Sequence, residues 1–168
     1  MTWKRASKIN TSINVSLAKK DSWLIFRDKL GNLDSFINCL KQNNQDIIVV
    51  EYNTTRGAML VQENKIVIDL YNEEHYVELA NYLTNHNINI SYIIHGWTLF
   101  EKDKETQSEL TQYLGFYSLF LLCDKLFSRI KNSLKLFTIT NGLNQVTGKD
   151  FIQAHKGTLL GAIRTMPH

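Results

Sequence analysis

One proline and two cysteines stand in the 168 residues. Cys39 and Cys123 lie far apart and form no CxxC pair. That spacing argues against a disulfide scaffold or a zinc site and for a reducing compartment, the cytoplasm. No apolar run approaches the ~20 residues that a membrane span needs. The longest, Tyr113 to Cys123, is interrupted by Gly115 and Ser118. The start, MTWKRASKIN, has no apolar stretch of the kind that follows a secretory signal's basic end. Excess charge is confined to the N-terminus. Residues 1–20 carry Lys4, Arg5, Lys8, Lys19 and Lys20 and no acid, while residues 21–168 are close to neutral within a formal total of +3. A body so balanced has no broad basic face for a phosphate backbone, so nucleic acid is not an expected partner. Residues 1–20 are expected to form a linker or surface strap. Of these, only Trp3, Ile9, Ile13, Val15 and Leu17 are expected to touch the core.

Hydrophobic residues make up 43% and aromatics 11%, enough for one core. Residues 21–168 read as alternating strands and helices. Short branched or aromatic runs at 22–28, 46–52, 88–95 and 134–140 have the composition of buried strands. Two shorter strands at 58–62 and 65–70 turn at Glu63–Asn64. Helical spacing places Leu33, Phe36, Ile37 and Leu40 on one face of a helix over 30–42. Asn72, followed by Glu73 and Glu74, opens a second helix, with acids where the helix dipole favours them. A long helix over 106–129 presents Leu110, Tyr113, Leu114, Tyr117 and Leu121 as its core stripe. Phe116, Leu119, Phe120 and Leu122 are left as surplus apolar surface. A last helix over 151–166 ends at Pro167. Buried strands separated by helices predict an α/β, Rossmann-like, mostly parallel sheet with helices on both faces.

Such a sheet raises the question of nucleotide binding, and the required residues are missing. A dinucleotide turn needs three glycines for its tight bend and close backbone approach. The turn Arg27-Asp28-Lys29-Leu30-Gly31-Asn32-Leu33 has one, and Asp28 sets a carboxylate where phosphate would sit. Glu51, at a strand end, has the place of a ribose-binding acid but reads equally as the first exposed residue. The short-chain reductase reaction needs a tyrosine with a lysine four residues later; the nearest approach is Tyr52 with Arg56 in a loop. His75, His86, His95, His155 and His168 show no paired-ligand spacing. His95 ends a strand at the carboxyl edge, where α/β proteins hold ligands. A hydrogen-bonded structural histidine explains it as well. Both cysteines fall on helices, where burial is expected. The residues thus assign no catalytic, cofactor or metal position.

Six segments carry a resemblance. They are Trp3-Lys4-Arg5, Ser22-Trp23-Leu24-Ile25-Phe26 and Tyr92-Ile93-Ile94-His95-Gly96-Trp97, then Leu114 to Leu119, Thr138 to Gly142 with Val146-Thr147-Gly148, and Gly157 to Gly161 with Arg164. In order and spacing they resemble the N-terminal structural subdomain of the ketoreductase in modular polyketide synthases, a degenerate, truncated Rossmann-like domain. The resemblance implies a non-catalytic scaffold for a catalytic half that binds NADPH. The intact unit would reduce a β-ketoacyl thioester on an acyl carrier protein. That family's glycine-rich loop, serine, tyrosine and lysine would lie in the half beyond Pro167-His168, so the chain is expected to be an excised fragment or an inactive remnant without a cofactor of its own. Expected partners are the catalytic half and neighbouring synthase domains, with a homodimer as a further possibility. The alternative is an independent α/β binding module for a nucleotide or acyl group, using the carboxyl edge near His95 and Asn141.

Overall fold

The computed structural model of the chain describes residues 20–100, 108–129, 133–145 and 148–165. The segment 1–19, expected to be a strap, lies outside the described residues, as do Val146, Thr147 and Pro167. The strands are β1 (Ser22–Phe26), β2 (Asp46–Asn53), β3 (Leu60–Gln62), β4 (Lys65–Asp69), β5 (Tyr92–His95) and β6 (Lys135–Thr138). They form one sheet in the order β3-β4-β2-β1-β5-β6. Every pairing is parallel except the β3–β4 hairpin, which turns at Glu63, a residue with φ of +45°. The Rossmann-like expectation therefore holds.

The central strand explains the architecture. Leu24, Ile25 and Phe26 are fully buried, so β1 is covered on both faces. Trp23 and Ile25 point to one face, where α1 (Asp34–Gln42) packs Leu33, Ile37 and Leu40 against them with Ile47 and Ile94. Leu24 and Phe26 point to the other. There α2 (Glu74–Asn85) lays down Tyr76, Leu79, Ala80 and Leu83 beside the long helix and the last one. Helices lie on both faces, and among the described residues α1 alone covers the first.

Several boundaries differ from expectation. The first helix begins at Asp34 rather than 30, because residues 28–33 form a turn through Gly31 at φ +76°. The second begins at Glu74, whose amide is capped by Asn72 Oδ1 at 3.0 Å. The strand expected over 88–95 is confined to Tyr92–His95, since the chain leaves α2 through Asn87 at φ +53°. Ile90 is nonetheless buried. At the C-terminal end, Phe151 and Ile152 are exposed and outside the helix. The chain winds through a 3₁₀ turn (Ala154–Gly157) into α4 (Thr158–Thr165).

The long helix, α3 over residues 108–127, departs furthest. It is α-helical at Ser108–Gln112 and Ser118–Leu121 but π-helical at Tyr113–Tyr117 and Leu122–Phe127. The wider turns shift its phase. The buried residues are Thr111, Leu114, Gly115, Ser118, Leu119, Leu122 and Leu126, and Tyr117 is exposed. Leu119 and Leu122 are thus core rather than surplus, and Phe116 is half-buried. Tyr117 at 44% and Phe120 at 55% exposure remain as the uncovered apolar groups.

Candidate functional site

Strand order reverses between β1 and β5, because β1 leads to β2 on one side while the crossover after β4 returns to the other. The crevice outside the carboxyl ends of these two strands is where doubly wound sheets hold ligands. Here the chain's own side chains fill it. Trp97, two residues past β5, is 1% exposed and reaches across β1, where its indole Nε1 donates to the carbonyl of Val50 in β2 at 3.3 Å. Its ring contacts Phe26, Tyr52 and His95 at centroid separations of 5.0, 5.2 and 5.7 Å. Gly96 lets helix and strand close around it. A Cβ there would stand 2.5 Å from Leu33 Cδ1 and 3.3 Å from the Phe26 carbonyl oxygen.

The start of α1, the natural seat of a phosphate, is also occupied. Asp28 is fully buried. Its Oδ2 accepts from the Asn32 amide at 2.8 Å and from Asn32 Nδ2 at 2.9 Å, while Oδ1 accepts from the Leu33 amide at 3.1 Å. The carboxylate makes, within the chain, the contacts that a phosphate oxygen would make. Glu51 has turned to a structural use. It accepts from Arg27 Nη1 at 3.2 Å and pairs with Lys65 Nζ at 2.8 Å, tying β1, β2 and β4 together. Arg27 also forks onto Asp34 at 2.5 and 2.7 Å, which holds the Asp34 carboxyl below its ordinary value.

His95 and Asn141 do not converge on an open site. His95 is fully buried, with Nε2 2.8 Å from Ser118 Oγ. Ser118 has carbonyl acceptors of its own at 2.9 Å (Leu114) and 3.2 Å (Gly115), so the histidine is assigned as the Nε2–H donor. Burial pushes its pKa down to about 3, and the ring is neutral. Asn141 serves Lys156, which sequence reasoning did not single out. Lys156 is 1% exposed, and its Nζ donates to Asn141 Oδ1 and the Thr98 carbonyl, both at 2.6 Å. It also lies 3.7 Å from the Phe100 ring centroid. Burial lowers its pKa to about 8. This lysine joins the loops after β5 and β6 to the turn that opens α4. The residue four before it is Ile152, so the tyrosine of the reductase pair is absent.

The other candidates are dispersed. Tyr52 packs on Trp97 beneath Lys29 Nζ, and burial raises its phenol to about 12, away from proton exchange near neutrality. Arg56 is exposed. His75 Nδ1 accepts from the Asp69 amide at 2.8 Å, His86 is exposed, and His168 lies outside the described residues. Cys123 is half-buried, its thiol raised to about 11, whereas Cys39 is exposed, against expectation, on the outer side of α1. Among the described residues no three histidine, cysteine or acidic side chains cluster as metal ligands, and no helix is long and apolar enough to cross a membrane.

Comparison with known proteins adds three findings. The model of the beta-ketoacyl synthase-like, N-terminal family matches residues 22–149. A search of curated protein sequences finds no match. Among solved structures, an adenylation, ketoreductase and pseudo Asub multidomain structure of a keto acid-selecting NRPS module aligns with 85% of this chain at 20% identity and a TM-score of 0.72. An N-terminal ketoreductase from the macrolactin assembly line aligns with 73% at 17% identity and a TM-score of 0.60. A short-chain dehydrogenase from Leptospira borgpetersenii with bound NAD+ aligns with 87% at 13% identity and a TM-score of 0.55. At these identities the likeness is one of fold. The chain spans 12% and 25% of the first two structures and 63% of the third.

Proposed function

The chain belongs to the beta-ketoacyl synthase-like, N-terminal family, and from that premise we propose that it is the non-catalytic structural half of a ketoreductase. Its role is to carry and orient a catalytic half that reduces a β-ketoacyl thioester with NADPH on an acyl carrier protein. Two independent likenesses support the reading. The family is named for β-ketoacyl chemistry, and a β-ketoacyl thioester is what a synthase makes and a ketoreductase consumes. The fold is shared with structures whose names include a ketoreductase.

The observation that carries the non-catalytic assignment is the filled crevice. A dinucleotide would have to displace Trp97 from its contacts and Asp28 from the amides of Asn32 and Leu33. With those amides taken by a carboxylate, a pyrophosphate would meet negative charge instead of free donors. The loss of the cofactor seat is a gain in rigidity, as the same side chains lock α1 and the β5 loop onto the sheet. Calorimetric titration of the chain with NADPH and with NADH tests this. No saturable heat is expected up to millimolar nucleotide, and micromolar affinity for either would overturn the reading.

A further inference from the structure

The two outer strands of the sheet are edges of different kinds. β3 is three residues long and ends in the tight turn at Glu63, and an edge that short offers little to a further strand. β6 reaches beyond its four residues, because the amide of Ile139 still donates to the His95 carbonyl of β5 at 2.9 Å. At its start the amide of Lys135 donates to the Ser91 carbonyl, also at 2.9 Å. The backbone groups of Lys135, Phe137 and Ile139 therefore turn inward to β5, and by the alternation of a strand those of Leu136 and Thr138 turn outward. Among the described residues nothing pairs with that outer side.

This edge also lacks a guard. From Leu136 to Leu143 the sequence reads LFTITNGL, with no charge and no proline. Those are two of the devices that ordinarily keep a strand edge from pairing. One face of it is bare as well. Phe137 lies beside Ile94 in the register, on the face that α1 covers farther in, yet Phe137 is 47% and Ile139 38% exposed. A helix laid over that face would cover the two side chains and leave the outer backbone groups unpaired. An added strand satisfies both.

A second copy of the chain supplies a strand that fits. A twofold axis sets two β6 edges antiparallel, and the residues that then oppose one another choose the register. Centred on Thr138, it sets Phe137 opposite Ile139 of the second copy, Leu136 opposite Thr140 and Lys135 opposite Asn141. Aromatic and branched side chains are favourable cross-strand neighbours, and no charge opposes its like. Centred on Phe137 instead, the ring would meet its own copy and Lys135 would meet Ile139. We propose that two copies of this chain pair antiparallel along β6, with the twofold axis at Thr138, joining their sheets into one. The contact is the edge of one short strand, so the pair belongs with weak, concentration-dependent interfaces. Nothing in this pairing depends on what the rest of the protein catalyses.

Sedimentation equilibrium over a range of concentrations tests it, with charge pairs written into the exposed positions. The natural chain is expected to pass from monomer to dimer as its concentration rises. Phe137→Lys with Ile139→Glu sets opposite charges across the axis and should keep the dimerisation constant within about threefold of the natural one. Phe137→Lys with Ile139→Lys sets like charges there and should weaken it at least about tenfold. An unchanged far-ultraviolet spectrum shows that each variant folds. A natural chain that stays monomeric throughout overturns the proposal. So does a dimer that the two variants keep equally well, which belongs to another surface, or lose equally, which belongs to another register. A second measurement leaves Phe137 and Ile139 as they are. In a chain with Cys39→Ser and Cys123→Ser, oxidation is expected to join Thr138→Cys to its own copy, because opposed Thr138 Cα atoms would stand about 5.5 Å apart. Phe137→Cys is expected to join far less, and equal joining at the two positions overturns the register.

Discussion

The two ends of the sheet differ in a way that bears on function. At the carboxyl end, where this architecture ordinarily admits a ligand, side chains among the described residues fill the crevice: Trp97 across the switch point, Asp28 at the start of α1, and Lys156 between the later loops. One groove lies at the amino edge beside Ser22 and Asp46, and a larger one runs along α1 over β2 and β4 as far as Arg27 and Asp34. The end of the sheet that ordinarily holds a ligand is thus packed with side chains.

The filled end should be the more costly to disturb. Trp97→Ala removes the largest fully buried side chain and its indole hydrogen bond, and is expected to destabilise the domain by about 3–5 kcal/mol. Chemical denaturation checks this, and a loss under 1 kcal/mol would show that the indole is no structural plug. Next comes the acid limb of the stability profile. The folded chain holds His95 near pKa 3, while an unfolded histidine titrates near an ordinary 6.5. Between these values the unfolded state binds a proton that the folded state excludes. His95 thus contributes stability that is present above about pH 6.5 and lost as pH falls toward 3, at a limiting ~1.4 kcal/mol per pH unit. His95→Gln is expected to flatten that part of the profile, and an unchanged slope between pH 6 and 4 would assign the acid sensitivity elsewhere.

The smallest effect is expected on a third surface, the outer side of α3. Tyr117→Asp with Phe120→Asp alters exposed groups and should change the stability of the chain alone by less than about 1 kcal/mol. In a ketoreductase containing this half, reduction of a model β-keto thioester should fall at least tenfold if that side supports the catalytic half. Unfolding of the chain alone would place these residues in its own core, and unaltered reduction would remove them from the interface.

Strands were the most legible part of the fold. DIIVVEY and SWLIF are dense in branched and aromatic residues because burial on both faces leaves no room for polar alternation, and that density can be read without coordinates. The β3–β4 turn at Glu63–Asn64 was legible for the same local reason. The stripe of α3 was not. A 3.6-residue period assigns Tyr117 to the core and Leu119 to the surface, and nothing local announces that the turn between them is wider. In the candidate site, the missing glycines and the awkward place of Asp28 were visible as defects, but their positive role was not. That role depends on amides at Asn32 and Leu33 turning toward the carboxylate. Lys156 was hidden altogether, since its partners Thr98 and Asn141 are 58 and 15 residues away and share no pattern with it.

The wide turns of α3 have a consequence for how relatives are compared. A π turn closes its hydrogen bond over one more residue than an α turn, so each of the two segments behaves as a single-residue insertion held inside an unbroken helix. A relative with an ordinary helix here would match this one only if the alignment steps by one position at Tyr113–Tyr117 and again at Leu122–Phe127. Without the first step, the buried Leu119 is set against a position that faces outward, and a core residue is mistaken for surplus surface. Deleting Phe116 performs the same step experimentally: it restores a regular helix at the first site and rotates every following side chain by about 100° relative to the turn before it.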